Sequence, residues 1–336
     1  MNESTPPIAP LESTTVAAYK DRSTGLVVFG ILTVLLGCLA GMLVPLMLVG
    51  QSFSARATQV PPNFAAILPA ACVYGVLAVA LVWLGIGSIQ ARRWARALLL
   101  IFSWSWLVMG IFVLIGMAFV LPKVLGNLPS TGTANQPALP PGTMGVVMVV
   151  TFLIWGVFFV LLPSAWTFFY NSRHVKATCE ARDAVARWTD ACPLPVLGLC
   201  LWLMFSVPMM LMLPLAGHGV MPFFGVFLAG MPGTLLCLAI AALWSYGAWM
   251  IYHLKSQGWW LVFVALIVFI VSSVVTFARH DVLEMYQLMG YPQAQIDQIQ
   301  KTGLLQGTGL GWLMTFSVLP LLGYFVFVKK YFRHKS

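Results

Sequence analysis

The segment LVVFGILTVLLGCLAGMLVPLMLV, residues 26–49, contains no charged residue and indicates the class of this protein. As a helix it would rise about 36 Å, which is enough to cross the hydrocarbon core of a bilayer, about 30 Å thick. Seven more segments of the same character follow, at residues 67–89, 97–120, 144–170, 194–215, 233–252, 259–278 and 308–328. The sequence therefore predicts an all-α polytopic membrane protein with eight transmembrane helices.

The composition points the same way. The chain is 60% hydrophobic and 8% charged, and its mean hydropathy is +0.91. A chain of this composition would not remain in solution as a globular domain, so we expect the lipid bilayer to be its main partner. The net charge of +9 comes from short bursts of basic residues at the ends of the apolar segments. No nucleic-acid partner is expected, because a nucleic-acid surface needs a continuous basic patch.

Lysine and arginine are divided unequally between the two sides of the predicted spans. With the N-terminus in the cytoplasm, fourteen of the eighteen lie inside and four outside. Cytoplasmic loops are rich in these residues, so both termini are predicted to be cytoplasmic in a cell membrane, with a bacterial inner membrane as the expected one. Residues 1–24 are predicted to be a disordered cytoplasmic tail. All six cysteines lie in spans or in the cytoplasmic linker, so disulfides are not expected.

The chain matches itself at an offset of about 161 residues and at nearby offsets. LAVALVW at 77–83 matches LAIAALW at 238–244, and VPLML at 44–48 matches VPMML at 207–211. These matches predict a parallel 4+4 internal repeat, because four spans return each half to its starting side. The predicted halves are residues 25–176 and 194–336, joined by a cytoplasmic linker at 177–193. Chance similarity among apolar helices is the alternative.

Three loops carry signals of their own. Alternating charges around the linker predict a short amphipathic helix at the inner surface. Residues 122–143 are rich in Pro, Gly, Ser and Thr and predict a non-helical outer loop. Residues 279–307 predict an outer helical hairpin, since Asp281 and Glu284 have capping-box spacing, Tyr286 lies on an apolar face and Gly290 begins a break. Asp281, Glu284 and Tyr286 are therefore the candidate residues of an outer lid.

The candidate binding site lies in an apolar segment interrupted by glycine and proline, residues 218–232. Broken apolar segments at matching places in two halves form the binding sites of many transporters. The candidate residues are His218, Pro222 and Phe223, and in the first half Pro61, Pro62 and Asn63. The alternative interpretation is an interfacial loop whose Phe223 and Phe224 lie at the lipid headgroups.

No cofactor, metal site or catalytic centre is predicted. His174, Cys179 and Cys192 share the linker region, but their spacing fits no compact zinc pattern. No metalloprotease, nucleophile-elbow or phosphate-loop motif is present in the sequence. The spans also lack ionisable residues, which proton-coupled carriers need within the membrane. The sequence therefore favours a protein that is not an enzyme.

Two functions remain open. The first is a transporter-like or facilitator-like bundle that passes a neutral or lipidic solute between the halves. The alternative is a non-catalytic membrane scaffold or accessory subunit of a larger complex, with a protein partner or a homo-oligomer as its assembly. Small hydroxyl residues in the spans serve either a polar path or helix packing: Ser103, Ser105, Ser245, Ser272, Ser273 and Thr276. Their contacts distinguish the two functions.

Overall fold

The computed structural model describes residues 20–58, 64–126, 143–291, 293, 296–297, 300 and 318–335, and at 54–58, 64–66, 120, 123–126, 143–144, 319 and 333–335 it describes the backbone alone. Seven helices in this part of the chain are long and apolar enough to cross a membrane: Ser23–Phe53, Ile67–Ile89, Arg93–Phe119, Gly145–Asn171, Leu194–Gly217, Met231–Tyr252 and Ser256–Phe277. The prediction of a polytopic helical membrane protein is confirmed for these seven. Of the predicted eighth span, 308–328, residues 308–317 lie outside the described residues.

We number the described helices α1 to α11 in chain order. Their bounds are Ser23–Thr58, Phe64–Ile89, Arg93–Gly126, Thr143–Gly156, Leu162–Asn171, Arg173–Arg182, Leu194–Gly217, Met231–Tyr252, Ser256–Phe277, Val282–Leu288 and Leu319–Val328. A π-helical turn, Val157–Leu161, joins α4 to α5, and 3-10 turns occupy Trp188–Asp190 and Lys329–Lys335. Two short strands, β1 (Met221–Phe223) and β2 (Val226–Leu228), pair between α7 and α8.

The helices end at two faces. The face that contains the connection 90–92, the segment 172–193, the connection 253–255 and the turn Lys329–Lys335 is called the basic face below. The opposite face, which contains the β1–β2 hairpin and α10, is called the hairpin face. Helix α1 begins earlier than predicted, because residues 20–24 are not a free tail: Arg22 N donates to Thr178 Oγ1 at 3.2 Å, and Asp21 pairs with Arg182 at 3.5 Å.

Helices α1 and α2 approach each other through glycines. A Cβ on Gly37 would lie 3.0 Å from the carbonyl oxygen of Ala78, and one on Gly85 would lie 2.7 Å from that of Gly30. Small residues permit such contacts, and interhelical packing is the main attraction between helices in lipid. The spacing of Gly37 and Gly41, four residues apart, is typical of such close helix contacts.

Replacing Gly85 by Ala is expected to separate α1 from α2. The new methyl group would meet backbone atoms of α1, which cannot move independently, so we expect a loss of about 1–3 kcal/mol in the free energy of unfolding. Gly75, on the same helix, has no atom within 4 Å of an added Cβ, so Gly75→Ala is the matched control and is expected to be neutral or slightly stabilising. Thermal and SDS-induced unfolding in one detergent measures both. Equal midpoints for the two variants would contradict this packing.

The fourth span changes its helical pitch where the sequence carries a proline. Pro163 lies in the first turn of α5, directly after the π-helical turn. A proline cannot donate the hydrogen bond that an α-helix needs, and a π-helical turn accommodates that loss. Gly110 of α3 lies against this turn, so that an added Cβ would collide with the carbonyl group of Phe159. The irregularity beside Pro163 is thus a π-helical turn packed on α3.

The buried residues form two hydrophobic cores, one per predicted half. The first core surrounds Leu99 and Tyr170, and the second surrounds Leu203 and Phe325. Leu194 and Leu201 of α7 pack against both cores, and α7 contacts α2 and α3. We call this contact of α7 with α2 and α3 the seam. Between the described residues, no comparable packing of α1 against α8 or α9 occurs.

Two connections on the basic face have the same geometry. Ala91 and Leu254 both adopt positive φ, 53° and 57°. Arg92 N bonds to Gly87 O at 2.9 Å, and Lys255 N bonds to Met250 O at 3.0 Å. Both are Schellman-type helix ends in which a non-glycine residue takes the left-handed position. The two connections lie 163 residues apart in the sequence. Helix α2 ends at Ile89 and α8 ends at Tyr252, while α3 begins at Arg93 and α9 begins at Ser256.

Candidate functional site

Within the apolar segment 218–232, residues 221–228 form a β-hairpin on the hairpin face, a structure that the sequence did not predict. Met221 pairs with Leu228, and Phe223 pairs with Val226. The turn residues Phe224 and Gly225 have φ of 41° and 92°. Positive φ at both central positions is typical of a two-residue hairpin turn, whose twist matches that of the strands. Candidate residue Phe223 is 42% exposed and Phe224 is 48% exposed, as the interfacial alternative expects.

Two hydroxyl groups of α9 hold the turn of this hairpin. Phe224 N donates to Ser272 Oγ, and Gly225 N donates to Thr276 Oγ1, both at 2.9 Å. Ser272 Oγ in turn donates to the carbonyl oxygen of candidate residue Pro222 at 3.2 Å. Ser272 lies five residues before the end of α9, or about 7 Å along the helix at 1.5 Å per residue. The hairpin turn therefore packs beside the last turns of a membrane-spanning helix.

His280 links the hairpin to α10. One ring nitrogen, Nε2, lies 2.9 Å from the carbonyl oxygen of Gly225, and the other, Nδ1, lies 2.8 Å from Glu284 Oε2. Both partners are acceptors, so the ring satisfies both only when both nitrogens carry protons. The hydrogen bond that His280 donates to Glu284 raises the pKa of His280 above its ordinary value. The bond to the Gly225 carbonyl adds to this, while desolvation and the charge of Arg279 oppose it.

The predicted lid residues lie together, but not in the predicted bonding pattern. Helix α10 begins at Val282 after Asp281, as the sequence indicated, and Glu284 N donates to Asp281 O at 3.1 Å. Asp281 makes no side-chain cap, and the Glu284 carboxylate bonds to His280, so the reciprocal capping box does not form. Tyr286 is half-buried and meets Tyr291 edge to face at 5.1 Å. The second predicted helix of this hairpin, after Pro292, lies mostly outside the described residues.

His218 has a backbone role. It takes φ of 52° at the end of α7, and its carbonyl oxygen accepts a hydrogen bond from Gly230 N at 2.8 Å, which closes the base of the hairpin. Its ring lies beside Gly290, where an added Cβ would be 3.0 Å from Nε2. His218, Pro222 and Phe223 are thus parts of one hairpin. Pro61, Pro62 and Asn63 lie outside the described residues, so their approach to it stays a prediction.

A second polar cluster, on the basic face, was only partly predicted. The linker charges predicted a helix, and α6 forms with Val175, Thr178 and Cys179 buried. Its most buried charge is Asp183, whose side chain is 3% exposed and lies 3.8 Å from Arg92 and 3.6 Å from Arg187. Arg93 N also donates to Asp183 Oδ2 at 3.3 Å. These bonds fix the linker to the α2–α3 connection, which lies about 90 residues away in sequence.

The cysteines and histidine of the linker region do not converge. Cys179 belongs to the first core and Cys192 to the second, while His174 Nδ1 accepts a bond from Lys20 N at 3.4 Å. Burial raises the pKa of both thiols to about 11, so both remain protonated at neutral pH. In the described part of the chain, no group of three His, Cys, Asp or Glu residues is placed to hold a metal ion.

Comparison of the chain with protein-family models, with curated proteins and with solved structures gave no match.

Raising the pH is expected to loosen the hairpin through His280. The pKa of His280 is raised in the folded protein, so its stabilising contribution is complete below the ordinary histidine pKa of about 6.5 and is lost as pH rises through the higher folded-state value. Hydrogen exchange at the amides of Phe224 and Gly225, corrected for intrinsic rates, should show protection that falls over this window.

Two variants isolate the effect of His280. His280→Gln should remove the pH dependence, and Glu284→Gln should move the transition to lower pH, since the strongest cause of the raised pKa is gone. His218→Gln is the control and should leave the profile unchanged. Protection that does not vary with pH in the unaltered protein would contradict the role of His280.

Proposed function

We propose that this chain is a non-catalytic membrane scaffold made of two four-span halves, with its recognition surfaces at the two faces and not along a path through the membrane. The proposed recognition surface on the hairpin face comprises His218, Pro222, Phe223, Asp281, Glu284 and Tyr286, and its proposed partners are lipid and protein. The main support for the proposal is the hydrogen bonding of the serine and threonine hydroxyl groups in the spans.

Every hydroxyl that the sequence offered for a polar path is already engaged. Ser103, Ser105, Ser245 and Ser273 each donate to a carbonyl of their own helix, at 2.8–3.1 Å. Ser272 and Thr276 hold the hairpin turn. A path for a polar solute needs such groups facing an opening between helices, whereas bonds within one helix are typical of packing. This favours the scaffold over the transporter.

The proposed 4+4 repeat is supported by the offset of 163 that relates the two matching connections. The same offset relates Pro45 of α1 to Pro208 of α7. The pattern of burial also recurs at this offset. In α2, residues 81, 84, 85, 87 and 88 are buried, whereas 83 and 86 are exposed. The corresponding residues of α8 repeat the pattern: 244, 247, 248, 250 and 251 are buried, whereas 246 and 249 are exposed. At this offset Trp83 corresponds to Tyr246, not to Trp244 as the sequence match at 161 suggested.

The proposed repeat has consequences for topology. Two halves of four spans each require an eighth span over 308–328 and place both termini on one side. The basic face is then cytoplasmic, since it holds most of the lysines and arginines, and the hairpin face is outside. The bacterial inner membrane remains the proposed location.

The seam also favours a scaffold. In a repeat arranged about a central two-fold axis, contact of α7 with α2 and α3 would be matched by contact of α1 with α8 and α9. Between the described residues, only the first of these contacts is extensive. The halves are therefore arranged in tandem, and a solute site on a shared axis, as in many transporters, is not what this packing provides.

One observation favours the second candidate, a transporter-like or facilitator-like bundle. The π-helical turn Val157–Leu161 precedes Pro163 and packs on Gly110. Such turns occur often at functional sites, where they mark a place that a helix can bend. A movement of the fourth span about this turn would open a lipid-facing path for an apolar solute.

Flux measurements test the two candidates. The protein is reconstituted into vesicles of phosphatidylcholine and phosphatidylglycerol, and its folding is checked by circular dichroism. Glycerol-driven swelling and transbilayer exchange of a fluorescent phospholipid are then recorded. The scaffold predicts rates equal to those of protein-free vesicles. Rates at least about tenfold higher that Gly110→Ala abolishes would overturn it and establish the second candidate.

A further inference from the structure

An open apolar groove runs along the outside of α9 near the basic face. It is lined by Ser256, Gln257, Trp260, Leu261, Val264 and Ala265, all from this one helix. Trp260 is 50% exposed and Val264 is 52% exposed. Among the described residues, the groove therefore lacks a second wall and is open to an apolar surface from outside.

The seam contains the counterpart of this groove in a covered state. At the offset of 163, Leu261 corresponds to Leu98 of α3 and Val264 corresponds to Ile101. In the first half α7 lies against this surface. Leu98, 9% exposed, belongs to the core against which Leu194 and Leu201 of α7 pack, and an added Cβ on Gly198 would lie 3.4 Å from Ile101 Cγ2. The structure thus displays, within one chain, what fits against this surface.

Among the described residues, the counterpart of the covering helix is also uncovered. At the same offset, Leu194 and Gly198 of α7 correspond to Ile31 and Leu35 of α1. Ile31 is 48% exposed and Leu35 is 58% exposed. Among the described residues, the two ends of the proposed tandem therefore present the two uncovered sides of one interface.

We propose that copies of this chain associate head to tail in the membrane, with Ile31 and Leu35 of α1 in one copy seated in the α9 groove of the next. The occupant of the groove is a second copy of this chain. Such a heterologous contact generates a ring or an open filament, as its rotation dictates. This inference rests on the tandem repeat proposed above and specifies how copies of the scaffold assemble.

Cysteine cross-linking between two differently tagged chains tests the contact. Cys38 and Cys72, the two cysteines that are not buried, are first replaced by Ser. One chain carries Leu35→Cys, the other carries Val264→Cys, and the co-expressed pair is oxidised in intact membranes. A disulfide-linked dimer that contains both tags is expected. The matched control replaces Val264→Cys by Val79→Cys, at a position on α2 that is 72% exposed, and should give no such dimer.

The remaining outcomes are equally decisive. Equal yields with Val264→Cys and Val79→Cys, or no mixed dimer at all, would reject the proposal and indicate that lipid covers the groove. Dimers formed by Leu35→Cys alone would reject it in favour of contact between two α1 helices.

A second measurement does not depend on cysteine. Light scattering in a mild detergent should show oligomers of the unaltered chain and monomers of Val264→Trp, which fills the groove, whereas Val79→Trp should not change the mass. A monomeric unaltered chain would overturn the proposal. Cross-linking could fail while surface labelling places the connections 90–92 and 253–255 on one side of the membrane. That result would reject the self-association but not the tandem repeat.

Discussion

Replacing Ser272 by Ala and Thr276 by Val together is expected to release the hairpin from α9. The amides of Phe224 and Gly225 would lose their acceptors, and a buried donor left without a partner costs about 1–3 kcal/mol. Valine keeps the shape of threonine, so the loss comes from the hydrogen bonds and not from a cavity. We expect hydrogen exchange at these two amides to accelerate by at least about tenfold, and proteolysis in the hairpin to appear, while the spans remain inserted.

The adjacent residue provides the control. Ser273 donates to Phe269 O within its own helix at 2.9 Å, so Ser273→Ala removes a hydroxyl of the same kind at the same depth without touching the hairpin. It should leave exchange and proteolysis unchanged. If the double variant behaves like Ser273→Ala, then α9 does not hold the hairpin, and the hairpin face is not the ordered surface that we describe.

Replacing Asp183 by Ala is expected to detach the linker from the α2–α3 connection. The amide of Arg93 would lose its acceptor and two arginines would lose their most buried partner. The arginines are about 40% exposed and remain solvated, so the loss arises mainly from the amide, about 1–3 kcal/mol in the free energy of unfolding. A lower SDS-unfolding midpoint measures it.

Glu180 is the matched control for Asp183. Its carboxylate lies 3.8 Å from Lys176 and 4.0 Å from Arg93, but its side chain is 43% exposed. Exposed pairs of this kind contribute less than about 1 kcal/mol, so Glu180→Ala should shift the midpoint little. Equal shifts of the midpoint for the two variants would show that the burial of Asp183 does not increase its contribution to stability.

The spans could be predicted from sequence because the hydrocarbon core of a bilayer permits few backbone conformations. A long segment without charge, such as 26–49, must satisfy its backbone within a helix, and neither distant partners nor turn geometry changes this. The start of α10 at Val282 was predictable for a similar reason, since capping signals are local. The pairing of Glu284 was not, because its actual partner, His280, also depends on the carbonyl of Gly225, about 55 residues away.

The hairpin was missed for a physical reason. Hairpin turns with positive φ usually carry Asn, Asp or Gly at the first central position, and here that position is Phe224. Its conformation is supported by Ser272, which no local pattern reveals. Likewise, the linker charges predicted a helix, but the burial of Asp183 depends on Arg92 and Arg93 of a distant connection. Apolar helices match at several offsets, so the turn geometry at Ala91 and Leu254 was needed to favour 163 over 161.

The central claim is that two four-span halves stand in the same orientation, with an eighth span returning the chain to the basic face. Labelling with a membrane-impermeant maleimide tests it directly, using single cysteines at Gln90, Val226, His253 and Ser336 in a background without accessible cysteines. We expect label from the cytoplasmic side alone at Gln90, His253 and Ser336, and from the opposite side alone at Val226. Labelling of Ser336 together with Val226 would contradict the eighth span and with it the repeat.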